Sequence, residues 1–292
     1  MSIFVRIRDN IKKEGLRKYL PSRLIIVKKW IVFHYGGYFK YYLAKIGMKG
    51  KCRRIEQFKG VHKGERCFVI CTGPSLTIED LEKIKNEITI SMNSIIFSLG
   101  DISYAPDYYF FSDCLAYPYY RDAIISNRSV FKSMFAGTVS WKRKWLNDAD
   151  WVCYNMIGES GLWLHHRDEL SFSGDPSLGV FECGTIAYSI LQVVFYMGFS
   201  EVYMIGADCG YSKEKDHFNE ERINIERSKK NHKDPTNEIG LNKMYELGYI
   251  KAKEYAEKHG IKLYNATRGG YLEVLERVDL DEVLDTKHMQ SV

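Results

Sequence analysis

The sequence lacks the features that mark several large classes of protein. Its 292 residues include seven cysteines, an odd number, and no two of them form a CxxC pair. This pattern disfavours both a disulfide framework and a structural zinc site, and it predicts reduced thiols in a cytoplasmic protein. No run reaches the roughly 20 apolar residues that cross a bilayer. We also expect no secretory signal, because the N-terminus has no apolar core followed by a small-residue cleavage site.

The composition is that of an ordinary globular protein. Apolar residues make up 45% of the chain and charged residues 27%, which excludes the disordered, collagen-like and coiled-coil classes. A chain of this length can bury a substantial core as one large domain, or as one domain with an appendage. The sequence contains no internal repeat.

Charge is distributed unevenly along the chain. From Met1 to Arg54 there are 15 Lys and Arg against 2 Asp and Glu, a balance of +13, while the remaining residues carry 27 against 35, a balance of −8. Aromatic side chains are interleaved with the basic ones at Trp30, Phe33, Tyr35, Tyr38, Phe39, Tyr41 and Tyr42. Rings among basic residues suit the headgroup zone of an anionic membrane.

We therefore predict a basic aromatic arm over residues 1–60, which contacts the anionic inner membrane through residues 1–54. The protein would then be cytoplasmic and peripheral at that membrane. A solvated helical extension packed on the body is the alternative interpretation. Nucleic acid is disfavoured as a partner, because the acidic body would repel phosphate backbones.

Beyond the arm, short apolar runs alternate with helical segments. The runs are nearly continuous hydrophobics, as in strands covered on both faces, and they lie at 67–71, 88–92, 108–112, 151–155, 202–206 and 261–265. Helices are predicted at 77–86, 116–126, 180–197, 241–259 and 280–285. This alternation predicts an α/β fold over residues 61–292, a Rossmann-like and mostly parallel sheet with helices on both faces. Ligands of such sheets bind outside the carboxyl ends of the strands.

The first candidate site follows the first predicted strand, at Gly73, Pro74 and Ser75 in the segment TGPSLT. The glycine permits close backbone approach, the serine can cap the next helix, and N–H groups at that helix start would attract phosphate. The segment matches neither GxxxxGK[ST] nor GxGxxG, and a plain strand–turn–helix junction also fits it.

Polar side chains follow the next two predicted strands. Asn93 comes after the run ITISM, where an amide can hold a base edge or an oxygen of ribose or phosphate. Asp113 has the equivalent position after the run YYFF. A turn-forming role is the alternative for both residues.

Two further segments flank the apolar run 186–197. Gly184 and Thr185 precede it and would present N–H groups and a hydroxyl to a ligand, with a simple N-cap as the alternative for Thr185. After the next strand, Asp208 can bind ribose hydroxyls and Tyr211 can steady a departing phosphate.

The segment 212–242 is highly charged and poor in apolar residues, which predicts a long loop or a lid. It contains His217 and His232, either of which could act as a general base, although a histidine in a polar loop is often only solvated. Asp148 and Asp150 form a DxD sequence, but they precede a predicted strand instead of following one, so we interpret them as a turn. We predict no metal site and no cofactor.

The order of these segments resembles two related families. GPSL after the first strand, an Asn after the second, an apolar helix ending in GFSEVYMIGAD, a loop His and a final GIKLYNAT are similar to metal-independent bacterial sialyltransferases of the lipooligosaccharide type. They also resemble the MptE-like domain (6-hydroxymethylpterin diphosphokinase-like) of motility accessory factors. The closing residues 265–272 look more like the MptE-like branch, and the resemblance covers about residues 65–285.

The resemblance implies a role for each candidate residue. Gly73, Pro74 and Ser75 match the first phosphate loop of the sialyltransferases, and Asn93 matches their nucleotide-binding Asn. Asp113 stands where that family has another Asn, and Gly184 and Thr185 lie near its Ser/Thr beside the carboxylate of the donor sugar. Asp208 matches its ribose-side Asp, and Tyr211 is near its phosphate-assisting Tyr. The base of that family is a loop His, a role that His217 or His232 could fill.

The implied activity is a glycosyltransferase of cell-surface polysaccharide or lipooligosaccharide biosynthesis. The donor would be a nucleotide-activated sugar, a CMP-linked nonulosonic acid, and the acceptor a glycan or glycolipid. An MptE-like diphosphokinase that uses ATP and Mg²⁺ and a non-catalytic scaffold of an envelope glycan pathway remain alternatives. The sequence also leaves open a homo-oligomer.

Overall fold

A computed structural model of the chain describes residues 35–138, 144–158, 170–209, 217–229 and 241–290. Its centre is a sheet of nine strands in the order β6-β5-β4-β3-β2-β1-β7-β8-β9. The strands are β1 Arg66–Ile70, β2 Ile88–Met92, β3 Tyr108–Phe111, β4 Ser133–Thr138, β5 Trp151–Ile157, β6 Val180–Phe181, β7 Glu201–Ile205, β8 Lys262–Asn265 and β9 Glu276–Arg277. Every strand pair is parallel, which confirms the predicted Rossmann-like α/β class.

Helices cover the sheet. They are α1 over residues 35–45, α2 Ile78–Lys83, α3 Tyr117–Asn127, α4 Ile186–Met197, α5 Glu220–Lys229, α6 Leu241–Lys258 and α7 Leu280–Gln290. Short 3-10 helices lie at Gly50–Phe58, Asn93–Phe97 and Lys144–Asn147. Among these described helices, none combines the length and the hydropathy that a membrane crossing requires. The seven cysteines are free thiols, as the sequence predicts.

The most apolar helix, α4, lies in the main core and is almost wholly buried. Its one amide, Gln192, is fully buried, but Oε1 accepts from the N–H groups of Ser173 and Phe181, both at 2.9 Å. The amide nitrogen Nε2 donates to the carbonyl of Phe181 at 2.8 Å. Gln192 therefore ties the short edge strand β6 to α4.

The structure differs from the predicted elements at several places. The predicted helix 180–197 begins only at Ile186, because Thr185 caps it and the preceding Val180–Phe181 pairs with β5. Strand β4 was not predicted, since its sequence SMFAGT is not a continuous apolar run. The region 212–242, predicted as a loop or lid, contains the helix α5.

The described part of the basic arm packs on the body. Ile55 and Phe58, in the 3-10 helix Gly50–Phe58, belong to the main core, and the ring of Phe58 lies 4.9 Å from that of Phe135 on β4. Arg54 forms an ion pair with Asp150 at 2.5 Å. Ile55 and Phe58, which precede the predicted boundary at 60, thus share a core with the sheet, as in the alternative of a packed helical extension.

Candidate functional site

A cavity of about 170 Å³ lies where the order of the strands reverses. Strand β1 is central; the chain continues to β2 on one side of it and later returns to β7 on the other. In open parallel sheets this reversal leaves a crevice outside the carboxyl ends of the strands. The predicted site residues that line the cavity are Gly73, Pro74, Asn93, Gly184, Thr185, Asp208 and His217.

The amino end of α4 forms one wall of the cavity. Thr185 is its N-cap, and the Thr185 hydroxyl accepts a hydrogen bond from the N–H of Ala187 at 3.3 Å. Ile186 and Ala187, the first residues of the helix, line the cavity beside it. The positive end of a 12-residue helix therefore faces this space, where it would stabilise an anion such as a phosphate.

Asp208 follows β7 and is bound to the loop that follows β1. Its Oδ2 accepts from the hydroxyl of Ser75 at 2.8 Å and from the Ser75 N–H at 3.3 Å. A Cβ placed on Gly73 would lie 1.9 Å from the same oxygen, so only glycine fits there. Asp208 is 8% exposed, and its carboxylate is fixed at the edge of the cavity.

This arrangement differs from the predicted phosphate loop. The N–H of Ser75 is directed to Asp208, and the next donors are used by a capping box in which Thr77 and Asp80 bond each other. Ser75 itself does not line the cavity but a smaller neighbouring one. The loop thus positions a carboxylate, and the anion-binding end among these elements is that of α4.

Backbone strain is concentrated beside the cavity. Among the described non-glycine residues, positive φ angles occur at Asn93, with 44°, and at Cys209, with 51°. Both residues line the cavity. Asparagine tolerates this left-handed region, whereas cysteine adopts it rarely, and such conformations cluster at functional sites.

His217 lies at the mouth of the same crevice, just before α5. Its Nδ1 is 3.3 Å from the hydroxyl oxygen of Thr72, which follows β1, and its backbone N–H donates to the Glu220 carboxylate at 3.1 Å. The neighbouring N–H of Phe218 donates to the carbonyl of Thr72 at 3.2 Å. These contacts place a half-buried imidazole next to the carboxyl end of β1.

Several residues that line the cavity were not predicted from the sequence. Tyr245 and Tyr249, one turn apart on α6, line the cavity and are 8% and 4% exposed. Their spacing of four residues in a predicted helix was the available signal, but the same spacing is typical of core packing. Thr72, Cys71 and Cys209 also line it.

The cysteines at the cavity stay protonated near neutral pH. Burial raises the pKa of Cys71 well above its ordinary range. Burial, with Glu246 and Asp208 nearby, raises the pKa of Cys209 to about 12. Thiols in this state are poor nucleophiles, so the imidazole and the carboxylate are left as the candidate reactive groups.

The remaining predicted residues lie elsewhere. The carboxylate of Asp113 accepts from the N–H groups of Leu115, at 2.7 Å, and Ala116, at 3.0 Å, so it orders the turn before α3 and is not part of the cavity lining. Tyr211 and His232 lie outside the described residues. Their predicted roles stay predictions.

The DxD sequence has structural partners. Asp148 accepts from Arg121 at 2.8 Å and from the hydroxyl of Tyr117 at 3.2 Å, and Asp150 pairs with Arg54. The Arg54 guanidinium holds the pKa of Asp150 below its usual value. Over the described part of the chain, no group of three or more His, Cys, Asp or Glu side chains is placed to hold a metal ion.

The fold and cavity define a Rossmann-like α/β protein with a cavity at its switch point. The sequence model of the family 6-hydroxymethylpterin diphosphokinase MptE-like matches residues 42–214, more than half of the chain. The chain belongs to this family. Among proteins with curated functions, none matches it in sequence.

Similar solved structures include two kinds of transferase. The MAf glycosyltransferase from Magnetospirillum magneticum AMB-1 is 14% identical with a TM-score of 0.48, and the match covers 82% of this chain but 40% of that one. The sialyltransferase CstII from Campylobacter jejuni, in complex with the substrate analogue cytidine-5'-monophosphate, is 14% identical with a TM-score of 0.44; the match covers 75% of this chain and 86% of that one.

Proposed function

We propose that this protein is a glycosyltransferase of cell-surface polysaccharide or lipooligosaccharide biosynthesis. It would transfer a CMP-activated nonulosonic, sialic-acid-like sugar to a glycan or glycolipid with inversion and without a metal. The observation that carries the proposal is the convergence of Gly73, Asn93, Thr185, Asp208 and His217 on one cavity. These residues come from five separate segments of the chain and combine an anion-binding helix end with a carboxylate and a candidate base.

The proposed transfer reaction gives each wall of the cavity a role. The amino end of α4 would stabilise the phosphate of the CMP leaving group, and the fixed carboxylate of Asp208 would accept hydrogen bonds from ribose hydroxyls. His217 would deprotonate the acceptor hydroxyl, which attacks the anomeric carbon from the face opposite the departing phosphate. Typical ligand pockets measure about 300–1,000 Å³. A nucleotide sugar would therefore extend beyond the described walls.

A second candidate is a diphosphokinase that uses ATP and Mg²⁺, which the name of the matched family favours. Asp208 would then be a candidate metal ligand, since Mg²⁺ in kinase sites is held by one or two carboxylates together with substrate phosphates.

Calorimetry of the full chain with a panel of nucleotides tests both candidates. We expect CMP to bind in the presence of EDTA and to bind more tightly than UMP or AMP. If ATP binds only in the presence of Mg²⁺ and CMP does not bind, the result would favour the diphosphokinase over the transferase. Absence of binding by every nucleotide would favour a non-catalytic scaffold.

We further propose that the basic arm, residues 1–54, holds the enzyme at the anionic inner membrane, where lipid-linked acceptors are made. The excess of positive charge in these residues supports this, because each Lys or Arg near such a surface contributes about 1 kcal/mol. The exposed aromatic rings of α1 support it as well: Tyr35 is 53%, Phe39 64% and Tyr42 62% exposed.

A further inference from the structure

A second cavity, of about 450 Å³, lies far from the switch point. It is an open cavity bordered by α1, the 3-10 helices Gly50–Phe58 and Lys144–Asn147, and the β5–β6 side of the sheet. It shares no lining residue with the cavity beside Asp208. Its apolar lining consists of Leu43, Ala44, Met48, Leu146 and Leu178, together with Cys52.

Two buried polar atoms among the lining residues have no hydrogen-bond partner. They are the ammonium nitrogen Nζ of Lys40 and the amide oxygen Oδ1 of Asn155. Asn155 is 4% exposed, and its Nδ2 is fixed by donation to the carbonyl of Gly37 at 2.9 Å. A buried charge or amide without a partner is costly, so these atoms indicate a ligand that supplies both an acceptor and a donor.

The other lysines of this cavity are already paired. Lys49 donates to Glu56 at 2.7 Å and to Ser177 at 2.8 Å. Lys51 donates to Asn147 at 2.9 Å. The positive charge available to a ligand inside the cavity is therefore that of Lys40.

The opposite face of α1 is apolar and exposed. Tyr35, Phe39 and Tyr42, with Ile46 directly after the helix, follow one another at spacings of four, three and four residues, which places them on one stripe, and they are 53–73% exposed. Lys40, Leu43 and Ala44, which line the cavity, occupy the other face. The helix thus has an aromatic surface outside and a partly charged cavity beneath it.

We propose that this cavity binds one anionic amphiphile, an acyl chain with a glycerol-phosphate head, taken from a membrane surface. The chain packs among the leucines, the phosphate accepts from the Lys40 ammonium, and a hydroxyl of the head donates to Oδ1 of Asn155. The inference is independent of the nucleotide site and goes beyond the proposed transfer reaction.

Calorimetry of the full chain with lauroyl lysophosphatidate, kept below its micelle concentration, tests the proposal. We expect saturable binding at one site per chain. Dodecanoate has the chain without the phosphate, glycerol 3-phosphate has the head without the chain, and lauroyl lysophosphatidylcholine carries no net charge; each should bind at least about tenfold more weakly. Equal binding of glycerol 3-phosphate would mean a phosphate site only, and equal binding of the choline lipid would remove the role of charge.

Three variants test whether the lipid binds in this cavity. Lys40→Met should weaken lysophosphatidate at least about tenfold, whereas Lys45→Met, which removes the same charge from an exposed position of the same helix, should leave the affinity within about twofold. Leu178→Trp should block binding by filling the cavity. CMP affinity should be unchanged in all three, which separates this proposal from the proposed function. Wild-type binding by folded Lys40→Met, or by folded Leu178→Trp if the first does not fold, would overturn it.

Discussion

Asp208 illustrates how single residues become a site. The sequence places it after a strand, as a ribose-binding carboxylate, and places Ser75 in a phosphate loop. In the structure the two residues bond each other at 2.8 Å, so Ser75 positions Asp208, which lines the cavity. Their predicted roles stay predictions, and the partner of each side chain depended on a contact across 133 residues.

His217 supports a prediction at the same scale. Replacement by Ala should lower the rate of CMP release from a CMP-linked nonulosonic acid in the presence of acceptor by roughly 10²–10⁴-fold, because a general base contributes about that much. The affinity for CMP, measured by calorimetry, should change by less than about twofold.

His259→Ala is the matched control, since His259 is exposed at the end of α6 and its Nδ1 contacts the carbonyl of Tyr255. It should release CMP at the wild-type rate. Full activity of His217→Ala would show that another group, such as His232, is the base.

Among the elements, the segment 265–272 packs against the backbone of Ala207 and Asp208. The hydroxyl of Thr267 accepts from the N–H of Ala207 at 2.9 Å, and the N–H of Tyr271 donates to the carbonyl of Asp208 at 2.6 Å. Gly270 packs against the backbone of Asp208, and a Cβ there would lie 2.6 Å from its Cα. This segment, which follows the residues that the family model matches, therefore holds the backbone of Asp208 in place.

Substitution of adjacent glycines tests this support. Gly269 and Gly270 have φ angles of +80° and +71°, so Ala at position 269 should lower the free energy of unfolding by about 1–2 kcal/mol in urea titrations. Ala at position 270 should lower it further, because its Cβ would also lie 2.6 Å from the Cα of Asp208. A Cβ on Gly269 has nothing within 4 Å, whereas that on Gly270 displaces Asp208. Only Gly270→Ala should therefore weaken CMP binding, by about tenfold or more. Equal CMP affinities of Gly269→Ala and Gly270→Ala would show that the segment 265–272 does not position Asp208 for binding.

The elements also show where sequence patterns are sufficient. Six strands were predicted from continuous apolar runs, because both faces of a parallel sheet are buried and the run is its direct consequence. Strands β4, β6 and β9 were missed, and so was helix α5. Strand β4 and helix α5 show the reason. Both depend on neighbours: β4 pairs with strands on both sides, and Arg222 of α5 bonds Asp101 and the carbonyl of Phe97.

At the scale of the whole molecule, the charge asymmetry predicts membrane binding. The variant Phe39→Ser/Tyr42→Ser/Ile46→Ser should float poorly with vesicles that contain phosphatidylglycerol, because it removes the exposed stripe of α1 without touching the core. Deletion of residues 1–54 is a less specific test, since Asn155 on β5 bonds Gly37 of this helix.

The control variant is Val61→Ser/Leu115→Ser/Val130→Ser, which removes three other exposed apolar side chains, each 47–48% exposed. It should float like the wild type. Equal flotation of the stripe variant and the wild type would remove the proposed membrane role of α1.

Buried phenols and thiols predict a loss of stability in alkali. Burial, with acidic neighbours, raises the pKa values of Tyr108, Tyr196 and Cys209 to about 12 from ordinary values of 10.0 for tyrosine and 9.0 for cysteine. Between about pH 9 and pH 12 the unfolded chain has then lost protons that the folded chain keeps, so the free energy of unfolding falls as pH rises. Urea titrations should give a lower value at pH 10.5 than at pH 8; a constant value would contradict this.

Local sequence was enough to predict the fold class, the free thiols and the end of the sheet where the candidate residues gather. Each of these follows from local composition: apolar runs form covered strands, and polar residues just after parallel strands gather at one edge. Packing in three dimensions fixes the rest: Ser75 bonds Asp208, Tyr245 and Tyr249 join the cavity, and Lys40 of α1 and Asn155 of β5 line a second cavity. These are contacts between distant segments, whose geometry depends on how helices and strands pack and cannot be obtained from any one segment alone.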